Sequence, residues 1–257
     1  MEFRVAALLL IAALLGGTLL CLEIGRRVAL ARPPRSAGGG PETGAVEAAM
    51  FALLGLLIAF TFSGAAQRFD ARRHLIVEEA NAIGTAYLRL DLLPGPAQPA
   101  LRDLFRRYVD TRLAVYRALP DLDAARAELG RAAALQGEIW TQAVAAAQGA
   151  PTTAPAMLLL PALNAMIDIT TTRTMATRMH VPSLVFVLLG VLALVCAFLA
   201  GYGMAASPSR SWVHSLTFAL VLTAAIYVIV DFEYPRLGLL RVDAFDQVLV
   251  DVRASMR

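Results

Sequence analysis

The pattern of polar and apolar positions along the chain is dominated by four long uncharged runs. They cover residues 5–22, 48–66, 181–206 and 212–230. A helix needs about 20 apolar residues to cross the roughly 30 Å hydrocarbon core of a bilayer, so each run is close to or above the required length. The runs are apolar on every side and leave no polar face for water. The pattern therefore predicts an integral membrane protein with four helical spans.

The second run passes without a break into a charged segment. Residues 45–93 contain no proline, and polar residues at helical spacing replace the apolar ones after residue 66. At about 1.5 Å per residue, one helix of this length would reach about 70 Å, roughly twice the hydrocarbon thickness. The pattern predicts that the second membrane helix leaves the bilayer and ends only at the sequence LPGP, residues 93–96.

The central segment, residues 67–180, has the composition of a soluble helical domain. Its turn signals divide it into further helices at about 99–119, at about 121–148, and from about 156 into the third membrane run. Asp121 or Asp123 is the candidate N-cap of the middle one of these helices. Pro161 and Pro182 predict kinks or helix starts along the last one.

These elements predict an all-α fold whose second and third membrane helices extend into a cytoplasmic helical domain. The predicted divisions are 1–66 with spans 1 and 2 and a short external loop, 67–180 as the cytoplasmic helical domain, 181–230 with spans 3 and 4, and 231–257 as a cytoplasmic C-terminal tail helix. The sequence has no internal repeat and no run with the alternating pattern of a strand.

Composition supports this assignment and orients the spans. Of the 257 residues, 58% are hydrophobic, and the mean hydropathy of +0.62 is too high for a soluble domain of this length. All 23 basic residues are arginine. With the N-terminus inside, eight arginines flank the spans on the inner side and five on the outer side. The positive-inside rule then predicts that both termini and the central domain are cytoplasmic.

The first run also fits a cleaved signal peptide, because Arg4 precedes the apolar stretch and small residues follow at 16–18. We favour a membrane span, since the apolar stretch continues past these residues to Leu22. Cys21 and Cys196 both lie within predicted spans, which indicates two small apolar side chains rather than a disulfide.

A polar stripe follows the second span along the same helix. Its members recur every three or four residues and share one helix face: Asp70, His74, Glu78, Asn81, Thr85 and Arg89. Such a stripe is typical of a solvated face, and it could also line a cytoplasmic vestibule or bind a regulator. His74 and Glu78 could hold a metal ion only with a third ligand, which the sequence does not define. We predict no metal site and no cofactor.

Charged residues before the third span indicate contacts with the long helix. The candidates for this pairing are Asp168, Arg173 and Arg178. Their possible partners are Arg72, Glu78 and Glu79. Buried ion pairs of this kind fix geometry more dependably than they add stability. The nearby threonines at 170, 174 and 177 are expected to donate hydrogen bonds to the preceding turn of their own helix.

Several classes of function find no support in the sequence. It contains no Gly-rich phosphate loop, no zinc-binding helix motif and no Ser or Cys nucleophile with an evident base, so we predict no enzymatic activity. A net charge of +3 is too small, and too evenly mixed with acids, to indicate a nucleic-acid partner. Proton-coupled transporters usually keep an acid near the membrane midplane, and the predicted spans have none there.

Four segments of the sequence resemble the bacterial bestrophin-like integral membrane family. They read GLLIAFTFS at 55–63, EEANAIGTAYLR at 78–89, DITTTR at 168–173 and PRLGLLRVD at 235–243. The resemblance implies a distant likeness to bestrophins, which are pentameric anion channels with four spans per subunit, cytosolic termini and a pore lined by the second membrane helix. No acidic calcium-clasp run is present, so the resemblance does not extend to calcium gating.

The resemblance makes the second span a candidate lining for a pore. Its apolar residues form two stripes, and the pore-lining candidates are Phe51, Leu54, Ile58, Phe60 and Phe62. The alternative is that both stripes are lipid contacts or subunit packing. We expect a homo-oligomeric, anion-conducting channel in the inner membrane of a bacterium, with lipid and inorganic ions as its partners. A scaffold or signalling adaptor acting through its cytoplasmic helices is the alternative, and a secondary transporter comes third.

Overall fold

A computed structural model describes residues 2–31, 41–205, 212–240 and 242–256, and every regular element in these ranges is helical. The α-helices are α1 (Glu2–Leu30), α2 (Pro41–Leu88), α3 (Gln98–Arg117), α4 (Leu122–Gln148), α5 (Ala154–Arg178), α6 (Ser183–Met204), α7 (Trp212–Glu233) and α8 (Gln247–Ser255). Short 3-10 helices cover Arg89–Leu92, Gly95–Ala97 and Asp243–Asp246. The all-α fold class predicted from the sequence is confirmed.

Within the described residues, four stretches of helix are long and apolar enough to cross a membrane. They are Val5–Leu30, Gly44–Leu92, Ala154–Met204 and Trp212–Glu233. The number of spans and their order agree with the prediction, so the protein is a multi-pass membrane protein.

The helix ends follow local sequence signals. α2 runs for 48 residues without interruption, and it tightens into the 3-10 helix Arg89–Leu92 just before Pro94. Of the two candidate caps of α4, Asp121 is the one used, because its carboxylate accepts the backbone N–H groups of Asp123 and Ala124 at 3.0 Å.

The chain leaves helical geometry between α5 and α6. Residues 179–182 are not helical, and Pro182 is the N-cap of α6, so the helix start predicted at this proline is present. Pro161 instead lies inside α5. The last turn of α5 is held by Arg72, which is buried and donates to the carbonyl oxygens of Ala176 at 3.1 Å and Met179 at 2.8 Å. A cation at this position also complements the negative end of the α5 dipole.

The chain forms two compact units. The first consists of Met1–Arg68 and His180–Leu239 and contains α1, the first part of α2, α6 and α7. Its apolar core draws on α2, α6 and α7, and its buried members are Leu54, Ala65, Leu189, Leu192, Ala193, Cys196, Leu222, Ile226 and Ile229.

α1 and α6 cross at two glycines. A Cβ atom added at Gly25 would lie 2.0 Å from the carbonyl oxygen of Phe198, and one added at Gly201 would lie 1.9 Å from that of Leu22. The two backbones therefore approach more closely than any side chain would permit, as helices in membranes do where small residues meet.

The second unit consists of Phe69–Met179 and Leu240–Arg257. Its largest fully buried apolar side chains are Ile76, Ile83, Leu90, Leu101, Phe105, Tyr108, Ile139, Leu159, Leu163 and Met166. The C-terminal helix α8 belongs to this core, because Leu249 and Met256 are buried in it. Arg253 also holds both carboxylate oxygens of Asp110, at 2.9 and 3.0 Å.

Candidate functional site

One face of α2 is exposed along most of the helix. Ten positions separated by three or four residues are all exposed: Leu53, Leu56, Phe60, Ser63, Gln67, Asp70, His74, Glu78, Asn81 and Thr85. This spacing follows the 3.6-residue period, so the ten side chains lie on one side of the helix, here called the α2 outer face. Its first three members are apolar and the other seven are polar.

The structure divides the five pore-lining candidates between the two sides of α2. Leu54 is buried in the core of the first unit, and Phe51 and Ile58 pack against that core. The ring of Phe51 meets that of Phe218 edge to face, with centroids 6.3 Å apart. These three side chains therefore face the core of the first unit.

The other two candidates remain accessible. Phe60 belongs to the α2 outer face. Phe62 is exposed, although its ring also meets that of Phe232 edge to face at 5.5 Å. Leu56, which was not among the candidates, lies on the same exposed side as Phe60. Periodicity could not separate the two sides, because this part of α2 is apolar all round.

The predicted polar stripe lies almost entirely on the α2 outer face. Asp70 accepts from Arg73 at 3.0 Å. Arg89 alone is half-buried, and its Nη1 donates to the carbonyl oxygen of Leu158 at 2.5 Å, which joins the end of the long helix to α5. In the described ranges, no group of three or more His, Cys, Asp or Glu side chains could hold a metal ion.

A buried charge cluster lies behind this face, in the core of the second unit. Glu79 is fully buried and accepts from Arg112 Nε at 2.5 Å through one oxygen and from Arg173 through the other. Arg173 also donates to Asp246 at 3.2 Å, in the 3-10 helix before α8. Tyr116 accepts from Arg112 at 2.6 Å, and its ring centroid is 3.9 Å from Arg173 Cζ. The cluster joins α2, α3, α5 and the C-terminal segment.

The two arginines of this cluster stabilise the ionised form of the Glu79 carboxyl. Burial alone would raise the pKa of the Glu79 carboxyl, but the charges of Arg112 and Arg173 and their hydrogen bonds outweigh burial, so its pKa lies below the ordinary value. Burial opposes the charge of Arg112, yet Tyr116 and Glu79 raise the pKa of its guanidinium. These groups are already paired with one another, so the cluster fixes helix geometry rather than offering a free acid or base.

The pairing candidates before the third span have different surroundings. Arg173 contacts Glu79, one of the two acids proposed as its partners, whereas Asp168 and Arg178 are exposed. Sequence reasoning did not include Arg112. It occupies the inward stripe of α3 between Tyr108 and Val115, and a charged residue within an apolar stripe is the signal that could have found it.

Threonines of α5 donate to their own helix, as expected. The hydroxyls of Thr170, Thr174 and Thr177 donate to carbonyl oxygens three or four residues earlier, at 2.7–3.2 Å. Thr170 also takes part in a buried network with Tyr108, at 3.0 Å, and Gln136, at 3.0 Å. Burial raises the pKa of the Tyr108 hydroxyl, so this network stays neutral.

A second cluster, here called the Glu233 cluster, lies in the first unit at the end of α7. Glu233 is 1% exposed. Arg68 donates from Nε to its Oε1 at 2.8 Å and also from Nη2 to the same oxygen, and His180 Nδ1 lies 3.3 Å from its Oε2. The imidazole of His180 stacks on Tyr234, with centroids 4.9 Å apart. Glu233 follows the fourth uncharged run, residues 212–230, by three positions, and the sequence gave no indication of these partners.

A tight loop follows this cluster. The Oδ1 atom of Asp231 accepts the backbone N–H of Leu239 at 2.8 Å and the hydroxyl of Tyr227 at 3.2 Å. A Cβ added at Gly238 would lie 1.9 Å from the same oxygen, so a larger residue there would displace the carboxylate of Asp231. This contact gives a physical role to the glycine in the segment PRLGLLRVD.

Comparison with known proteins identifies one family. The model of the bestrophin-like domain matches residues 12–244, which is most of the chain. A search of curated proteins and a search of solved structures each found no match.

Proposed function

The chain belongs to the bestrophin-like family, and we propose that it forms a homo-oligomeric ion channel in a bacterial inner membrane. The family suggests an ion-channel kind of function and is associated with channels rather than enzymes. A multi-pass helical subunit fits both association with the bilayer and assembly into an oligomer. We propose that α2 lines the pore. The distribution of arginines supports a cytoplasmic location for the termini and the second unit, which is part of the same proposal.

The observation that carries this proposal is the α2 outer face. A pore formed between subunits requires each subunit to present one uninterrupted helix face to a shared axis. Leu53, Leu56 and Phe60 supply an apolar section, and rings of such side chains restrict conduction by dewetting. The seven polar positions from Ser63 onward supply a section that water and ions can occupy. The pore lining is thus proposed for Leu56 and Phe60 rather than for Phe51, Leu54 or Ile58.

The permeant ion is proposed to be an anion, because the likeness to bestrophins implies it. Cations are the second candidate, since Asp70 and Glu78 lie on the α2 outer face and acidic rings favour cations. Arg73 pairs with Asp70 and offsets its charge. Flux of chloride and of potassium therefore has to be measured separately.

A scaffold or adaptor is the alternative function. Leu88, Met157 and Leu158 are exposed in the second unit, where Arg89 ties the end of the long helix to α5. A contiguous exposed apolar patch is typical of a surface that binds another protein, and an adaptor would use these side chains as part of such a patch.

The experiment that tests the channel measures the mass of the detergent-solubilised particle and then ion flux in liposomes made from the same sample. We expect a ring of several subunits that conducts chloride. Leu56→Ala and Phe60→Ala should raise flux severalfold, because a smaller apolar side chain widens the constriction.

The matched control is Leu188→Ala on α6. Leu188 is 54% exposed and Leu56 is 52% exposed, so both substitutions remove a similar lipid-accessible surface. Flux through the Leu188 variant should equal that of the wild type. Equal increases in all three variants would indicate non-specific leak, and a monomer or dimer without flux would favour the adaptor.

A further inference from the structure

The loop that follows α7 exposes a leucine. Leu239 is 79% exposed, a higher fraction than any other large hydrophobic side chain in the described ranges. It lies only a few residues beyond Glu233, the last residue of α7, and the loop 234–239 belongs to the same unit as that helix. An apolar side chain this exposed gains free energy when something other than water covers it.

Hydrogen bonds fix the backbone of this loop, so the exposure of Leu239 is built into the fold. The backbone N–H groups of Leu237 and Gly238 donate to the carbonyl oxygen of Tyr234, at 2.9 and 3.2 Å. The N–H of Leu239 donates to Asp231 Oδ1 at 2.8 Å. Three consecutive N–H groups are thus satisfied without water, which is what non-helical backbone requires at the edge of the hydrocarbon region.

The bond to Asp231 also gives the position of the loop along α7. Asp231 is buried and lies two residues before the end of the fourth candidate span, Trp212–Glu233. At about 1.5 Å per residue, it is about 3 Å from that end. The chain therefore folds back, and the backbone of Leu239 lies beside the last turn of α7. Tyr234, which directly follows the helix, is exposed as well, and tyrosine is enriched where lipid headgroups meet acyl chains.

We propose that Leu239 inserts between lipid acyl chains at this boundary and anchors the end of the fourth span in the bilayer. Lipid is the occupant that this position provides, because the last turn of a spanning helix lies at the level where the acyl chains begin. The sequence predicted residues 231–257 as a cytoplasmic tail, and the proposal moves the first part of that tail into the membrane boundary. The anchor does not depend on ion conduction, and it goes beyond the proposed channel function.

The test uses the full-length protein with Cys21 and Cys196 replaced by alanine and one new cysteine labelled with the fluorophore NBD, reconstituted into phosphatidylcholine liposomes. Leu239→Cys carries the label in the loop. Leu122→Cys is the matched control, because Leu122 is 60% exposed in the second unit and lies outside the candidate spans. Leu188→Cys, in the third span, is the control for a label within lipid.

Two quenchers distinguish the surroundings of the label. One is a lipid with a nitroxide near the headgroup end of its acyl chain, and the other is iodide on both sides of the membrane. We expect the lipid nitroxide to quench the Leu239 label severalfold more strongly than the Leu122 label, and iodide to show the reverse order. If iodide quenches both labels equally, the loop lies in water. If neither quencher reaches the Leu239 label, protein such as a second copy of the chain covers it, and either result overturns the anchor.

A second measurement uses the unmodified protein, so neither the label nor a substitution influences it. A lipid with a photoactivatable diazirine near its headgroup is added to the liposomes, and trypsin after irradiation releases the peptides 237–241, 118–126 and 179–210. The first contains Leu239, the second contains Leu122, and the third contains α6. We expect lipid adducts on 237–241 and 179–210 but not on 118–126. Adducts on 179–210 with none on 237–241 contradict the proposal.

Discussion

Two adjacent glutamates on α2 have opposite environments. Glu78 is exposed on the α2 outer face, whereas Glu79 is fully buried between Arg112 and Arg173. Removal of one partner from a buried pair leaves uncompensated charge in the core, which typically costs about 3–5 kcal/mol. We expect Glu79→Gln to lower the free energy of unfolding by an amount of this order. Glu78→Gln should stay within about 0.5 kcal/mol of the wild type. Denaturation of both variants in detergent measures the difference, and equal stability of the two would contradict the buried pair.

The stability of Glu79→Gln should also depend on pH differently from that of the wild type. The folded-state pKa of Glu79 lies below its ordinary value of 4.5. Its contribution to stability is therefore complete above that ordinary value and is lost as the pH falls through the lowered pKa. Tm measured from pH 6 to pH 3 should decline more steeply in the wild type than in Glu79→Gln. Parallel curves would show that Glu79 does not contribute to acid unfolding.

The sequence predicted that α2 and α5 are joined by charges, but it left the partner open. Helical spacing places Ile76 and Ile83 on a packing face, and Glu79 lies on that same face. Arg173 could have contacted Glu78 or Glu79, because the two are adjacent in sequence. The choice depends on the rotation of α5 against α2, and a single chain's periodicity contains no information about that angle.

The stability of the contact between α1 and α6 depends on close packing of their backbones at two glycines. Gly25 and Gly201 have no space for a Cβ atom, whereas a Cβ at Gly16 or Gly190 would have no neighbour within 4 Å. Overpacking typically costs about 1–3 kcal/mol, and backbone atoms cannot move aside as a flexible side chain can. We expect Gly25→Ala and Gly201→Ala to lose at least this much stability.

The matched controls are Gly16→Ala on α1 and Gly190→Ala on α6. Each should be neutral or slightly stabilising, because alanine is a better helix former than glycine by about 1 kcal/mol. Thermal unfolding of the four variants under identical conditions compares them directly. If the controls lose as much stability as Gly25→Ala, the close crossing is not the cause.

Helix ends were more predictable than helix faces. The end of α2 near Pro94, the cap at Asp121 and the start of α6 at Pro182 depend on a few neighbouring residues, so local rules sufficed. The inward side of α2 in the membrane was not predictable, because Leu54 and Leu56 are chemically identical and only their neighbours distinguish them. The Glu233 cluster was missed because its members are far apart in the sequence.

The membrane topology of the protein can be tested by cysteine labelling. In a background where Cys21 and Cys196 are replaced by alanine, single cysteines at Gln98 and Gly130 should not react with an impermeant thiol reagent in intact cells. The reason is the arginine distribution, which places residues 67–180 in the cytoplasm. A cysteine at Gly39, in the predicted external loop, is the positive control. Labelling at Gln98 or Gly130 from outside would contradict this prediction, because it would place residues 67–180 on the outer side of the membrane.

The crossing of α1 and α6 has a consequence for biosynthesis. α1 ends at Leu30 and α6 ends at Met204, so a ribosome that adds about 5–20 residues per second completes α6 roughly 9–35 s after α1. During this delay, lipid must solvate the surface of α1 that α6 will later cover. The uncharged stretch 5–22 makes this intermediate tolerable, since lipid tails are as apolar as leucine. The native pair therefore forms by lateral search within the bilayer, after the intervening chain has been synthesised.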